Sequence, residues 1–192
     1  MHERVLLIMN PCSGQKRAKR YLADILELFR AYDFVTTVMM TKARGDAVDI
    51  IREHGKDAHR IVCIGGDGTF NETVRGVLEA GLTVPIGYIP AGSTNDFANS
   101  LKLPKNIMDA ARRVCDGTPQ PVDVGKFGDR YFTYVASFGA FTKASYSTPQ
   151  NVKNALGHLA YILEGIKDIP SIRPLAVRFE TPHGVVEGKY IF

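Results

Sequence analysis

The sequence has no hydrophobic run long enough to form a signal peptide or to cross a membrane. Its longest apolar run near the N-terminus is Val5–Met9, whereas a membrane-spanning helix needs about 20 apolar residues. Cysteine is also scarce, because Cys12, Cys63 and Cys115 are odd in number and widely spaced. That spacing matches neither a disulfide framework nor a zinc site. These absences predict a soluble protein in a reducing, cytoplasmic setting, with no more than peripheral membrane contact.

Two familiar phosphate-binding motifs are absent as well. The sequence contains no GxxxxGK[ST], and GGDGTF at residues 65–70 does not fit GxGxxG. We therefore expect neither a P-loop NTPase nor an ordinary dinucleotide-binding Rossmann unit.

Strand-length apolar runs alternate with amphipathic helical segments in the first part of the chain. The predicted strands are Arg4–Met9, Phe34–Met40, Ile61–Ile64 and Pro85–Ile89. The segments after the first three strands have helical spacing. The second and third of these helices are predicted to end near Glu53 and Glu79, and the first has an apolar face formed by Ala18, Tyr21, Leu22, Ile25 and Phe29. Strands without polar alternation, each followed by a helix, predict an α/β fold with a parallel sheet covered on both faces.

Four unusual loops follow these strands. Ligands of open α/β sheets bind outside the carboxyl ends of the strands, so the four loops would share one edge. The loop after the third strand carries three glycines with Asp67 and Thr69. Glycine lets backbone N–H groups approach a ligand, and a following helix N-terminus favours an anion. The glycines could also serve only a sharp turn, but the added carboxylate and hydroxyl favour a nucleotide or Mg²⁺ site.

Positive charge is concentrated near the N-terminus. The formal net charge is +4, and residues 1–30 hold six Lys or Arg against three acidic residues. A solvated helix face, nucleic acid, an anionic membrane surface and polyphosphate are the alternatives for such a run. Nucleic acid is disfavoured, because the basic residues lie beside the first loop and are not interleaved with aromatic residues.

Four motifs in this order carry a family resemblance: NPCSG (10–14), Thr41 ahead of GDA (45–47), GGDGTFNE (65–72) and PAGSTNDFA (90–98). Together they resemble the catalytic domain of the diacylglycerol kinase and sphingosine kinase superfamily, in particular the bacterial lipid kinases. GGDGT alone is shared with NAD kinases and phosphofructokinase relatives. The resemblance implies an NAD kinase/phosphofructokinase-like nucleotide-binding domain that uses ATP and Mg²⁺.

The resemblance also implies roles for individual residues. Asp67 would help to organise Mg²⁺ through the bound nucleotide, and Asp96 would support the metal and the acceptor, so both are predicted to be catalytic. The residues implied to contact the nucleotide are Asn10, Pro11, Cys12, Ser13, Gly14, Lys16, Arg20, Thr41, Gly65, Gly66, Asp67, Gly68, Thr69, Phe70, Asn71, Glu72 and Thr94. Cys12 departs from the family, in which a small hydroxylated residue is more usual. Thr41, Asn71 and Asp96 could instead cap helices.

The composition becomes β-rich after an amphipathic helix at 107–115. We predict an ATP-binding domain at residues 1–118 and part of a lipid-acceptor domain at 119–192, with two hairpins and a helical segment at 151–166 between them. Phe138 and Phe141 would suit an apolar cleft, and Asp123 is a candidate for acceptor contact. The sequence stops inside an apolar strand, so we expect a truncated domain that lacks the general base and the structural metal site of its relatives.

These features predict an ATP- and Mg²⁺-dependent lipid kinase, or its N-terminal part, that phosphorylates the hydroxyl of diacylglycerol or a similar lipid. A non-catalytic nucleotide-binding fragment or regulator is the alternative from another class, and an NAD kinase is the alternative among enzymes. The predicted partners are a lipid substrate, a membrane contacted peripherally and a second copy of the chain in a homodimer that the unfinished sheet would permit. No nucleic acid partner is expected.

Overall fold

A computed structural model of the chain describes residues 2–137 and 173–191, without the side chains of residues 15–17. Its centre is a four-stranded parallel sheet in the order β2-β1-β3-β4. The strands are β1 (Glu3–Met9), β2 (Phe34–Met40), β3 (Arg60–Gly65) and β4 (Ile86–Pro90). The predicted α/β fold class with a parallel sheet is therefore confirmed.

Strand β1 lies at the point where the chain changes direction across the sheet. It pairs with β2 on one side and with β3 on the other, and its last residue, Met9, is in register with Met40 and Ile64. The backbone N–H of Asn10 continues the second ladder by donating to the Ile64 carbonyl at 3.0 Å. Such a switch point opens a crevice at the carboxyl ends of the two strands, which is where ligands of open α/β sheets bind.

Helices cover both faces of the sheet. They are α1 (Arg17–Arg20), α2 (Leu22–Ala31), α3 (Asp46–His54), α4 (Asp67–Glu79), α5 (Asp96–Ser100) and α6 (Ile107–Asp116). Alternate residues of β1 serve opposite faces: Val5 and Leu7 join the apolar cluster that contains α2 and α6, whereas Leu6 and Ile8 join the cluster that contains α3 and α4. This alternation follows from the two-residue period of a strand, and burial on both faces explains the continuous apolar run.

The first helical segment is divided, although the sequence predicts one amphipathic helix there. A 3₁₀ turn at Ser13–Lys16 leads into α1, and α2 begins only at Leu22. The N–H of Tyr21 donates to the Ala18 carbonyl three residues back, at 3.2 Å. This 3₁₀-type bond ends α1 and separates it from α2.

Two antiparallel hairpins follow the parallel sheet, as predicted. The first pairs β5 (Gly125–Phe127) with β6 (Arg130–Phe132), and the second pairs β7 (Leu175–Thr181) with β8 (Gly184–Tyr190). The chain divides into two compact units, Met1–Tyr134 and Val135–Phe192, so the first hairpin lies in the first unit. The predicted boundary after residue 118 stays a prediction.

Other predictions fall outside the residues that the structure describes. They concern the helical segment at 151–166 and the aromatic residues Phe138 and Phe141. Within the described ranges, no helix combines the length and the apolar character needed to cross a membrane.

Candidate functional site

The loops after β1 and β3 are joined by a hydrogen bond across the switch point. The Asn10 side-chain amide donates from Nδ2 to Thr69 Oγ1 at 3.0 Å, and its Oδ1 accepts the Cys12 backbone N–H at 2.9 Å. One amide therefore fixes the start of the NPCSG loop and connects it to the GGDGT loop. Cys12 is exposed and Ser13 is buried, so the loop presents its cysteine to solvent.

Glycines let three loops approach one another through their backbones. Gly14 has a φ of +47°, and a Cβ there would lie 2.0 Å from the Ala91 carbonyl oxygen in the loop after β4. A Cβ on Gly92 would lie 2.5 Å from the Cα of Gly66. Any side chain at these positions would separate the loops. A Cβ on Gly68, in contrast, would meet no atom of the described residues within 4 Å outside its own helical turn, so Gly68 faces open space among these residues.

Helix α4 begins in this open space. Its first hydrogen bond runs from the Phe70 N–H to the Gly66 carbonyl at 3.0 Å. The N–H groups of Asp67, Gly68 and Thr69 come before that bond and have no acceptor within α4. Unpaired N–H groups at the start of a 13-residue helix favour an anion, so this end of α4 can bind phosphate.

The Asp67 carboxylate binds the start of helix α5. Its Oδ2 accepts the Asp96 backbone N–H at 3.1 Å and the Thr94 hydroxyl at 3.4 Å, and its Oδ1 accepts the Phe97 N–H at 3.1 Å. These bonds satisfy N–H groups that α5 cannot satisfy itself. A carboxylate has about four acceptor positions, so Asp67 keeps capacity for a further ligand.

Asn95 shapes the loop after β4, and the sequence analysis missed it. Its side-chain Oδ1 accepts the Gly92 N–H at 2.8 Å, and its Nδ2 donates to the Gly92 carbonyl at 3.0 Å. Its φ of 53° is left-handed. Asparagine is enriched at such positions, so the Asn in the STND motif was the available signal. A pocket of about 220 Å³ opens beside this loop, lined by residues 90–95 together with Asn99 and Lys105 among others.

Three predicted site residues make contacts within the protein. Phe70 is buried in an aromatic cluster, with its ring centroid 4.3 Å from that of Tyr88 and 5.2 Å from that of Phe97. Thr41 is nearly buried after β2, and its N–H donates to the Met9 carbonyl at 2.9 Å. Asn71 bonds to strand β6, as described below.

The capping alternative does not hold for Thr41, Asn71 or Asp96. The residues at the N-cap positions of α3, α4 and α5 are Gly45, Gly66 and Asn95. Thr41 precedes Gly45 by four residues, Asn71 lies inside α4, and Asp96 is the first residue of α5. Asp96 is exposed, with its carboxylate at the same end of the sheet as Asp67.

The remaining predicted residues lie on or beside the same loops. Glu72 is partly buried in α4, and Pro11 is partly buried next to Cys12. Arg20 is exposed at the end of α1, whereas Lys16 ends the 3₁₀ turn and its side chain lies outside the description. The nucleotide-binding roles of all these residues stay predictions.

A buried polar group lies under the GGDGT loop. The Tyr88 hydroxyl in β4 is buried without a hydrogen-bond partner among the described residues, and burial raises its pKa, with the Asp67 charge adding to the shift. Burial also raises the pKa of the Cys63 thiol to about 12, although Thr73 opposes the shift. Both groups are therefore neutral at physiological pH, so the core that packs against Phe70 below the GGDGT loop carries no charge from Tyr88 or Cys63.

Comparisons with known proteins agree on one family. The model of the family "Diacylglycerol kinase catalytic domain" matches residues 4–127. The chain is 36% identical over 189 residues to a diacylglycerol kinase of Bacillus subtilis (strain 168), covering 97% of the chain and 62% of that protein. A diacylglycerol kinase of Staphylococcus epidermidis is 35% identical over 190 residues, covering 98% of the chain and 60% of the relative.

A solved structure shows the same fold. A crystal structure of a diacylglycerol kinase from Bacillus anthracis superposes with a TM-score of 0.77 at 28% sequence identity, covering 98% of the chain and 62% of the solved chain. The sequence therefore spans a little over three fifths of the length of the relatives that it matches.

Proposed function

Because the chain belongs to the diacylglycerol kinase catalytic domain family, we propose that it supplies the nucleotide-binding part of an ATP- and Mg²⁺-dependent lipid kinase. The acceptor in this proposal is the hydroxyl group of diacylglycerol or a similar lipid. The chain covers only 62% of its Bacillus subtilis relative, so the activity, the substrate and the cofactor of the whole enzyme are proposed for it and not established.

One observation carries the proposal: the hydrogen bond from Asn10 to Thr69 joins two loops at the switch point of the sheet. It holds the NPCSG loop next to the open N-terminus of α4. Backbone N–H groups, hydroxyls and nearby cations are what phosphoryl transfer requires of a protein, because its catalysis is mainly positioning and charge stabilisation. This arrangement supports binding of the ATP phosphates by these two loops.

Magnesium fits the donors at the site. Mg²⁺ prefers oxygen ligands and is commonly held by one or two carboxylates together with substrate phosphates. Asp67 retains acceptor capacity after its three hydrogen bonds. Asp96, whose backbone N–H is one of the three donors, is an exposed residue. When bound, the ion would offset negative charge on the phosphates. Asp67 and Asp96 are the residues that would hold it.

The chain's own residues supply orientation. Asp67 holds the start of α5 and thereby fixes the backbone position of Asp96, the first residue of that helix. The N–H groups at the start of α4 would hold phosphate oxygens, and Gly68 leaves room for them. Asn10 keeps the two loops in register. None of these residues needs to move a proton for the nucleotide to be bound.

Phosphate transfer tests the proposal directly. Labelled Mg-ATP is incubated with mixed micelles of diacylglycerol, monoacylglycerol, sphingosine or ceramide, with NAD as a soluble acceptor. We expect Mg-ATP to bind, and label in a lipid would show that this chain carries the transfer activity itself. Label in NAD would instead make the chain an NAD kinase. Binding of ATP without transfer to any acceptor would support a non-catalytic nucleotide-binding role, and neither binding nor transfer would refute the proposal.

Gly68→Ala separates binding from folding. A Cβ at Gly68 contacts no atom of the described residues outside its own helical turn, so the variant should unfold at a urea concentration no lower than that of the wild type. The methyl group would occupy the space assigned to phosphate, so the dissociation constant for Mg-ATP should rise by about tenfold or more. Gly81→Ala is a control at a distant glycine whose Cβ also meets nothing, and it should bind Mg-ATP normally despite the strain of its φ of +64°. An unchanged Mg-ATP affinity in Gly68→Ala would place the phosphates elsewhere.

Peripheral membrane contact, a cytoplasmic setting and a homodimer are further parts of the proposal. A lipid acceptor would require the first. Free cysteines at Cys12, Cys63 and Cys115 suit a reducing compartment. Strand β2 is the outer strand of its four-stranded sheet and carries the exposed side chains of Val35 and Met40, which a second copy could cover. Sedimentation of the chain with and without anionic vesicles would test the membrane and dimer proposals together.

A further inference from the structure

The side chain of Asn71 is bonded to Tyr131 in strand β6 and to Thr133, the residue that follows the strand. Its Nδ2 donates to the Tyr131 carbonyl at 3.1 Å, and its Oδ1 accepts the Thr133 N–H at 3.1 Å and the Thr133 hydroxyl at 3.5 Å. An amide oxygen has two lone pairs, so Oδ1 is fully used. The acceptor atom of this residue, which the family resemblance implies to contact a nucleotide, is therefore engaged by the backbone N–H and the hydroxyl of Thr133.

The hairpin of β5 and β6 depends on such contacts. Each strand has only three residues, and all six are exposed or partly exposed. An isolated two-stranded hairpin is marginally stable in water, so contacts outside the hairpin must fix its position. Val124, just before β5, packs partly against the aromatic cluster of Phe70 and Tyr88. Asn71 provides the polar contact to the other strand.

Asn71 and Asp67 lie four residues apart on the same face of α4. Asp67 bonds α4 to the start of α5, and Asn71 bonds it to β6. The first turns of α4 thus connect the open phosphate-binding end of the helix to two other segments. Strand β6 ends at Phe132, and the first unit of the chain ends two residues later at Tyr134.

We propose that Asn71 is a positioning residue, which holds the β5–β6 hairpin against α4 at a fixed place relative to the nucleotide phosphates. The inference rests on the proposed function for its catalytic consequence, whereas the docking of the hairpin stands on the three hydrogen bonds alone. In this role Asn71 affects transfer to the acceptor more than it affects the binding of ATP.

Asn71→Leu tests the docking without any nucleotide. Leucine has nearly the same volume and removes all three hydrogen bonds, so that the Thr133 N–H loses its Asn71 acceptor. We expect hydrogen exchange of the amides in residues 125–133 to accelerate by about tenfold, which is the effect of losing roughly one to two net hydrogen bonds. The amides of Leu7 and Val62 in the central strands should exchange at the wild-type rate. Unchanged exchange in the hairpin would overturn the proposal.

Asn106→Leu is the matched control. Asn106 also makes two hydrogen bonds, accepting the N–H groups of Met108 and Asp109 at the start of α6. The same substitution there should loosen α6 and leave hairpin exchange unchanged. Acceleration of hairpin exchange in both variants would show a general loss of stability and would overturn the specific role of Asn71.

The separate effects of Asn71→Leu on kcat and on KM for Mg-ATP distinguish a positioning role from nucleotide binding. In the micelle assay, we expect Asn71→Leu to lower kcat by about tenfold while KM for Mg-ATP stays within about threefold of the wild type. A raised KM for Mg-ATP at an unchanged kcat would identify Asn71 as a nucleotide ligand and overturn the proposal. If the wild type neither binds ATP nor transfers phosphate, the proposed function fails. If it binds ATP without transferring phosphate, or does neither, the exchange comparison alone decides whether Asn71 docks the hairpin.

Discussion

Replacing Asp67 by alanine should destabilise the fold as well as impair any metal site. The side chain accepts two backbone N–H groups from α5 at 3.1 Å and the Thr94 hydroxyl at 3.4 Å. Loss of a capping side chain costs about 0.5–2 kcal/mol, and hydrogen bonds to a charged group contribute about 1.5–3 kcal/mol each when well formed. Because Asp67 is only partly buried, we expect a loss of about 2 kcal/mol in the free energy of unfolding.

Urea unfolding measures this loss. With a slope of about 2 kcal/mol per molar urea, a loss of about 2 kcal/mol lowers the midpoint by about 1 M. Asp96→Ala is the control, because its exposed carboxylate makes no hydrogen bond or ion pair to the described residues. That variant should lose less than about 0.5 kcal/mol, as surface substitutions usually do.

A midpoint for Asp67→Ala within about 0.2 M of the wild type would refute the bonding of Asp67 to α5. Equal losses in the two variants would also contradict it, because only one of the two carboxylates bonds to backbone N–H groups. The comparison matters for activity assays, since inactivity of Asp67→Ala indicates a catalytic role only after the loss of folded protein has been subtracted.

Further predictions concern the cysteines and the opposite end of the sheet. Cys12 is exposed, whereas burial raises the pKa of Cys63 to about 12 and that of Cys115 to about 11, so a thiol reagent at pH 8 should modify Cys12 first, and Mg-ATP should slow that reaction. Rapid modification in the presence of saturating nucleotide would contradict a phosphate site at the NPCSG loop. The raised pKa of Cys63 stabilises the folded state fully below the ordinary thiol pKa of 9.0, and this contribution is lost as pH rises towards about 12. The free energy of unfolding should therefore fall over that range, and less steeply in Cys63→Ala; equal slopes would exclude the thiol as a cause. Arg60 pairs with Glu3 at 2.8 Å, donates to the Val114 carbonyl and has a side chain only 15% exposed. Arg60→Met should therefore lower the free energy of unfolding by about 2 kcal/mol in urea, whereas the affinity for Mg-ATP measured by calorimetry should not change. A large loss of affinity would contradict its position at the amino end of β3.

Much of the fold could be predicted from the sequence because its signals are local. The four strands lie within one residue of their predicted ends, since continuous apolar runs bounded by glycine and polar loops leave little choice of register. The helix ends near Glu53 and Glu79 were similarly close. The hairpin around residues 128–129 was indicated by its turn residues, and Gly128 has the positive φ of 57° that such turns require.

The division of the first helix could not be predicted from periodicity. Ala18, Ile25 and Phe29 all join one apolar cluster, which is also what a single continuous helix would give. The break at Tyr21 is one residue wide and leaves the apolar face intact, so the hydrophobic pattern contains no trace of it.

The placement of the site was predictable, but the use of each side chain was not. Glycine-rich loops after parallel strands must meet at one edge, so the sequence by itself determined where phosphate could bind. Only the tertiary structure decided that Asp67 bonds to α5, about 30 residues away, that Asn71 bonds to β6, about 60 residues away, and that Phe70 turns into the core. The physical reason is that an amide or a carboxylate can bind a ligand or a backbone group equally well, and the choice depends on which group the fold brings within about 3 Å.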